Sequence, residues 1–232
     1  MIQYKGYSTL EVLEGAENYN NWIASSLNVN VTHPILEVGA GIGNISKYFV
    51  NTGKLYLTEI DEGMLSLLKK RFNKHTNVTI DKLDITKNPP KKYQSFFSSI
   101  IAVNVLEHIK DDDTALKMLN NMLRNKGELR ILVPAKKFAY TRLDKELGHY
   151  RRYEKEELRA KLKRAGFKIK KLYYFNIVGL GSWIVRDKVE QKHIHLQAKH
   201  IALFDSIVPL LRLLERFIPI PFGISLIAIV EK

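Results

Sequence analysis

Cysteine is absent from the 232 residues, which excludes a disulfide-stapled scaffold, cysteine-ligated zinc and thiol nucleophiles. The absence fits a reducing compartment, and a cytoplasmic protein is expected. Long apolar runs are missing too. The uncharged stretch Ile218 to Val230 covers 13 residues, against the ~20 that a membrane-spanning helix needs, and Arg212, Glu215 and Arg216 interrupt the run upstream. Met1 to Leu10 carries no long apolar stretch and no small-residue cleavage pattern, so no signal peptide is expected. Acidic residues are in deficit: 24 Asp and Glu face 37 Lys and Arg, a net charge of +13. The basic residues are dispersed over Lys69-Lys70-Arg71, Lys91-Lys92, Lys136-Lys137, Arg151-Arg152 and the stretch Lys161 to Lys171. Such a surface attracts RNA, anionic lipid or acidic peptide, or is simply a solvated face; charge alone names no partner. What the chain does have is 45% hydrophobic residues with ten Phe and eleven Tyr, enough to build a core and to exclude disorder.

Short apolar segments alternate with helical ones. Residues 10–28 read as a helix with Leu10, Leu13, Tyr19, Trp22, Ile23 and Leu27 toward one side. Strands are predicted at Ile35 to Val38, Lys54 to Ile60, Val78 to Lys82, Ser95 to Val103 and Glu128 to Val133, with a turn at Asn125-Lys126-Gly127. Helices are predicted at 44–51, Glu62 to Arg71, Asp112 to Met122 and Glu154 to Ala165. This rhythm predicts a parallel sheet covered on both faces. Phe167 to Phe175 reads as a strand. The rhythm then changes: 196–217 read as a long amphipathic helix, and Gly223 to Val230 as a strand returning antiparallel to the sheet.

The most informative segment is Ile35-Leu-Glu-Val-Gly-Ala-Gly-Ile-Gly43. Gly39, Gly41 and Gly43 let a backbone turn tightly and approach a ligand. The mouth of the first strand is where ligands bind in such sheets. Glu59, ending the second strand, is placed to receive both hydroxyls of a ribose. A dinucleotide fingerprint wants its third glycine one residue later. Glu37 before the loop would oppose a pyrophosphate but suits a cationic amino group. Adenosylmethionine carries that ammonium and no phosphate, so electrostatics favour it over NAD.

The loop, Glu37, Glu59 and the downstream segments together resemble class I S-adenosylmethionine-dependent methyltransferases over about residues 15–175. The resemblance implies an α/β, Rossmann-like, doubly wound and mostly parallel seven-stranded sheet with an antiparallel last strand. It implies one domain over 1–232, with 1–30 as an N-terminal helical cover and 176–221 as a helical cap insertion. The implied cofactor is S-adenosyl-L-methionine, and no resident metal is expected. Around the loop with Ala40, it implies adenine contacts from Asp84 and Ile85 in Leu83-Asp84-Ile85, and from Ile60 and Met64. Asn104 and Val105, in the motif Asn104 to Ile109, would lie beside the methionine end. Tyr19 and Asn20 would cover the cofactor.

The acceptor side is expected in Tyr140 to Tyr153. Gly148-His149-Tyr150-Arg151-Arg152-Tyr153 sets two guanidiniums among aromatics and an imidazole, and arginine forks suit carboxylate or phosphate. Arg151 or Arg152 would orient an anionic acceptor and Tyr150 would close over the cofactor; alternatively the arginines pair with Asp144 or Glu146 at a surface turn. A carboxylate acceptor needs no base at neutral pH, whereas a hydroxyl wants one, from His149 or His108. Gly148 to Tyr153 with its helical insertion resembles methyltransferases of secondary metabolism and envelope-sugar pathways, some of which tailor peptide carboxylates. Oxygen methylation of an anionic small molecule or peptide is therefore expected. Glu37 to Asn44 with Glu59-Ile60-Asp61 also resembles ribosomal adenine dimethylases, but the Asn/Asp-x-Pro-Tyr/Phe motif of base methylases is missing: Asn104-Val105-Leu106-Glu107 stands there. RNA methylation remains the enzymatic alternative, and a cofactor-binding scaffold the non-enzymatic one.

Overall fold

The computed structural model describes residues 4–27, 32–181, 183, 198–217 and 221–232. Two helices, α1 (Tyr7–Glu14) and α2 (Glu17–Leu27), precede β1 (Ile35–Val38) and β2 (Leu55–Glu59). Then come α3 (Glu62–Phe72), β3 (Val78–Lys82), β4 (Phe97–Val103), α4 (Asp112–Met122), β5 (Leu123–Pro134), a short α5 (Arg142–Glu146), α6 (Lys155–Arg164) and β6 (Lys168–Phe175). The long helix α7 (Ala198–Phe217) and β7 (Ser225–Glu231) end the chain. The seven strands form one sheet in the order β3-β2-β1-β4-β5-β7-β6. Its first five strands pair in parallel, and β7 runs antiparallel between β5 and β6.

Strand alternation divides the core. Leu36 and Ile100 face one apolar cluster with Leu116, Leu119, Leu158 and Leu162 of α4 and α6. Ile35 and Ile101, one residue along, face the other with Trp22, Ile23, Leu27, Leu68 and Val208 of α2, α3 and α7. Both faces are thus covered, which explains why the central strands read as continuous apolar runs. Helix starts follow capping rules. The Asp61 carboxylate accepts the Met64 N–H at 2.9 Å and opens α3, and Asp111 accepts the Thr114 N–H at 3.0 Å and opens α4. Lys69, Lys70 and Arg71 sit in the last turn of α3, where cations suit the helix dipole.

Three expectations are corrected. The helix expected over 10–28 is two helices, broken at Gly15 and Ala16; a poor helix former lets Leu10 and Leu13 turn toward the cavity described below while Trp22 and Leu27 turn into the core. The helix expected at 44–51 is a single 3₁₀ turn, Ser46–Tyr48; Asn44, Ile45, Ser46 and Val50 are weak helix formers, and Phe49 and Val50 are drawn into the core. The turn at Asn125-Lys126-Gly127 lies inside β5 as a bulge, since Leu123 pairs Phe97 and Glu128 pairs Ser99. The expected cap over 176–221 is described only in part; residues 182, 184–197 and 218–220, with the first two of the helix expected at 196–217, lie outside the described residues. Among the described residues no helix is long and apolar enough to cross a membrane.

Beneath the acceptor segment Asp112, at the head of α4 and 2% exposed, is a junction. It accepts hydrogen bonds from Arg151 Nη1 at 2.6 Å, Lys161 Nζ at 2.8 Å and the Tyr153 hydroxyl at 2.8 Å. Asp112→Ala leaves the buried Tyr153 hydroxyl without its acceptor and Lys161 with Asp113 alone, so urea denaturation is expected to show a loss of about 1–3 kcal/mol; no measurable loss would contradict this reading.

Candidate active site

The chain runs outward from β1 to β3 and then crosses back to β4. That reversal opens a crevice at the carboxyl ends of β1 and β4, the usual ligand position in such sheets. The glycine loop forms its floor. Gly39 has φ +65°, and a Cβ there would stand 2.7 Å from Val105 Cγ2, so the loop and the turn after β4 touch backbone to side chain. Asn104, at φ +53°, carries that turn in the left-handed region that asparagine tolerates.

A cavity of about 1330 Å³ rises from this floor. It exceeds the ~300–1,000 Å³ of a single small-molecule site, room enough for two small molecules. Of the residues expected at the site, Tyr19, Glu37, Gly39, Ala40, Gly41, Glu59, Ile60, Met64, Asp84, Ile85, Asn104, Val105, His108, His149, Tyr150 and Arg152 line it. Gly43 does not. A Cβ there would meet the Phe72 ring at 2.6 Å, so Gly43 serves the close approach of α3 rather than a ligand. Arg151 does not line it either, because its guanidinium is turned to Asp112 and to the Lys110 carbonyl.

The two acidic residues of the floor differ. Glu59 accepts the backbone N–H groups of Gly41 at 2.9 Å, Ile60 at 2.7 Å and Asp61 at 3.0 Å. A carboxylate has about four lone-pair sites, so these three bonds leave Glu59 with acceptor capacity to spare. Glu37 is buried, and its Oε2 has no hydrogen-bond partner. Burial pushes its carboxyl up to about 7; the nearby Ser46 hydroxyl opposes the rise, and the charge of Glu59 adds to it. An orphaned carboxylate oxygen in the cavity wall fits the ammonium of S-adenosylmethionine. Asp84 accepts the Thr86 N–H at 3.0 Å, which fixes its turn in the cavity wall. Tyr19 packs against Trp22, Phe175 and Phe204, and burial raises its hydroxyl above the ordinary range.

At the opposite end the organising group is Asp144, fully buried in α5. It closes a capping box with Thr141, accepts from His149 Nδ1 at 2.8 Å, and accepts from Arg152 Nε at 3.0 Å. Burial alone would raise its carboxyl; the His149 and Arg152 hydrogen bonds and the Arg152 charge hold it below the usual range. The Arg152 guanidinium lies 4.8 Å from the centre of the Trp183 ring. Glu107 is fully buried with neither carboxylate oxygen paired, and burial, with the Asp144 charge, pushes it up to about 8. His108 stands edge-on to His149 at 4.6 Å, and burial and that neighbour push it down to about 4.

Sequence reasoning assigned no site role to Tyr4, whose ring meets His108 at 5.6 Å and which lines the cavity from the far N-terminal side. It treated Asp144 only as a possible arginine partner. The capping pattern Thr141-x-x-Asp144 was the available signal.

Residues 36–129 match a family described as a methyltransferase domain. Among curated relatives, the hybrid PKS-NRPS synthetase thnA of Trichoderma harzianum is 28% identical over 131 residues, 51% of this chain and 3% of that protein. The non-reducing polyketide synthase trt4 of Aspergillus terreus is 26% identical over 42% of this chain and 4% of its own length. The chain therefore spans only a few per cent of the curated relatives it matches. Among solved structures, a chain of the complex between the Haloferax volcanii Trm112 methyltransferase activator and a methyltransferase superposes with a TM-score of 0.69 at 11% identity, covering 100% of this chain and 98% of that one. At that identity the likeness is one of fold.

Glu37 gives the cofactor end a pH signature. An ammonium needs the ionised carboxylate, so binding below the group's pKa must expel a proton. S-adenosylmethionine affinity, measured by calorimetry, is expected to rise up to ~10-fold per pH unit on approaching about 7 and to level off above it. Glu37→Gln removes the slope; an equal slope in the variant would contradict the assignment. The sign for stability is opposite. A carboxyl raised from 4.5 to about 7 leaves the ligand-free protein less stable as pH climbs between those values.

Proposed function

We propose that this chain, a class I S-adenosylmethionine-dependent methyltransferase, methylates a hydroxyl oxygen on a small acidic acceptor of the natural-product type. Bound S-adenosylmethionine supplies an electrophilic methyl group on a sulfonium. Glu37 takes the ammonium, Glu59 the ribose, and Asp84 with Ile85, Ile60 and Met64 the adenine. Asn104 and Val105 wall the methionine end. These residues fix one partner of an in-line displacement, whose acceleration comes largely from alignment and exclusion of water.

The observation that carries the acceptor reading is the 2.8 Å contact between Asp144 and His149 Nδ1 in the cavity wall. A carboxylate on Nδ1 keeps the proton there and leaves Nε2 as an acceptor, the arrangement a general base needs. Arg152 and Lys110 line the same end and suit an anionic group on the acceptor. In the reaction an oxygen lone pair forms the new C–O bond, the methyl–sulfur bond breaks with its electrons staying on sulfur, and the hydroxyl proton passes to His149. Trp183, Leu143 and Leu147 give that end an apolar wall. The polyketide-synthase relatives support a place in secondary metabolism.

Labelled cofactor in a lysate, followed by mass spectrometry of the labelled product, identifies both acceptor and methylated atom. With that acceptor, His149→Gln is expected to lower kcat ~10²–10⁴-fold while cofactor affinity holds. An unchanged kcat would shift the methyl to an already ionised carboxylate, and a nitrogen-methylated product would end the oxygen reading.

A further inference from the structure

We propose that Glu107, His108 and His149 form a binding site for a first-row divalent cation, with Zn²⁺ as the best-fitting ion, at the acceptor end of the cavity. One ligand atom from each of the three lies within 4.8 Å of the others. His149 Nε2 stands 4.0 Å from Glu107 Oε1. Glu107 is the independent pointer: it is fully buried, and neither of its oxygens has a hydrogen-bond partner among the groups around it. A carboxylate kept in that condition is costly unless something positive meets it, and a cation bound by the two imidazoles would do so.

The surroundings have the form of a metal site. Ligating histidines nearly always give their second ring nitrogen to a carboxylate or a carbonyl, which fixes ring and tautomer. His149 has such a partner: Asp144 holds its Nδ1 at 2.8 Å. The Tyr150 N–H donates to the Glu107 carbonyl at 2.7 Å, and the His149 N–H to the Asp144 carbonyl at 2.9 Å, so the two segments supplying the ligands are tied together by their backbones. Two imidazoles and one carboxylate suit Zn²⁺, Co²⁺ or Fe²⁺ and not the all-oxygen preference of Ca²⁺ or Mg²⁺. Zn²⁺ sits about 2.0–2.2 Å from nitrogen and oxygen ligands, so the three side chains close by tilts of about an ångström.

Three protein ligands leave one tetrahedral position open, the pattern of catalytic rather than structural zinc. His108 and His149 both line the cavity, so that position faces the acceptor. The inference rests on the proposed function only for what fills it, an acceptor oxygen. With the ion bound, Nε2 of His149 is a ligand and no longer the base, so the ion lowers the acceptor's pKa and its proton leaves to solvent; the His149 base of the proposed reaction belongs to the metal-free protein.

The test is binding, not turnover. Tag-free, metal-stripped protein is titrated with Co²⁺ while visible absorption is followed, and then with Zn²⁺ against a chromophoric chelator. One equivalent of Zn²⁺ is expected to bind, with the intense Co²⁺ bands of a four- or five-coordinate site. Glu107→Gln and His108→Gln are each expected to weaken Zn²⁺ at least ~100-fold, and Asp144→Asn ~10–100-fold; His75→Ala, remote from the cluster, leaves it unchanged. S-adenosylmethionine affinity measured on every variant confirms folding. Zn²⁺ affinity within threefold of the parent in both ligand variants, or only six-coordinate Co²⁺ bands, would overturn the site while leaving cofactor binding intact. Failure of the parent to bind S-adenosylmethionine would instead strike the functional reading and leave the metal result standing.

Discussion

The reversal of strand order between β1 and β4 is the constraint from which the rest follows. Parallel strands on either side of that reversal send their following turns in opposite directions, so the sheet cannot close over its own carboxyl edge there. The glycine loop leaves β1 on one side and the Asn104 turn leaves β4 on the other. They meet where Gly39 lacks a side chain and Val105 presses against it. Everything recognised at the cofactor end hangs from these two turns. The acceptor segment is tied to the second of them through the hydrogen bond from Tyr150 to Glu107.

Four carboxyl groups show how the site spends its polarity. Glu59 and Asp144 are buried but surrounded by donors: three backbone N–H groups in one case, and Thr141, His149 and Arg152 in the other. Their oxygens hold backbone and side chains in place. Glu37 and Glu107 are equally buried, yet Glu37 has one unpaired oxygen and Glu107 two. Burial pushes both toward the neutral acid, to about 7 and about 8. The first pair needs nothing further. The second pair keeps unpaired oxygens that a cation would meet, the ammonium proposed at one end and the metal ion proposed at the other.

How legible this was depended on whether the information ran along the chain or across it. The strands and the glycine loop were legible because a fully covered parallel strand is a continuous apolar run and the loop is contiguous with it. The break at Gly15 was lost because apolar residues continue at helical spacing through it, and the direction change is set by what each helix covers. Arg151 and Arg152 look equivalent in sequence. In the extended segment before α6 neighbouring side chains point to opposite sides, so Arg152 reaches Asp144 and the cavity while Arg151 reaches Asp112. Gly43 shares the loop's rhythm but faces α3. The approach of His149 to Glu107 was invisible, since α4, β5 and α5 lie between them in the chain and the tie from the Tyr150 N–H to the Glu107 carbonyl is made across the fold.

The cavity's roof is fastened differently from its floor. Asp61 Oδ2 accepts the Tyr4 N–H at 3.0 Å, Asp205 of α7 accepts the Tyr19 N–H at 2.8 Å at the head of α2, and Glu215 accepts the N–H groups of Asn176 and Ile177 at 3.0 and 2.7 Å. Each clasp joins segments distant in sequence through a carboxylate and backbone amides, and α1 contributes no fully buried residue. Hydrogen bonds of this kind exchange with water at a small net cost, whereas the apolar contacts of Leu36, Ile100 and Leu116 below do not. Local opening is therefore cheapest at α1 and most expensive under the glycine loop. A floor that holds its shape while its cover yields is what a site needs when a nucleoside must enter whole and then be shielded from water during transfer.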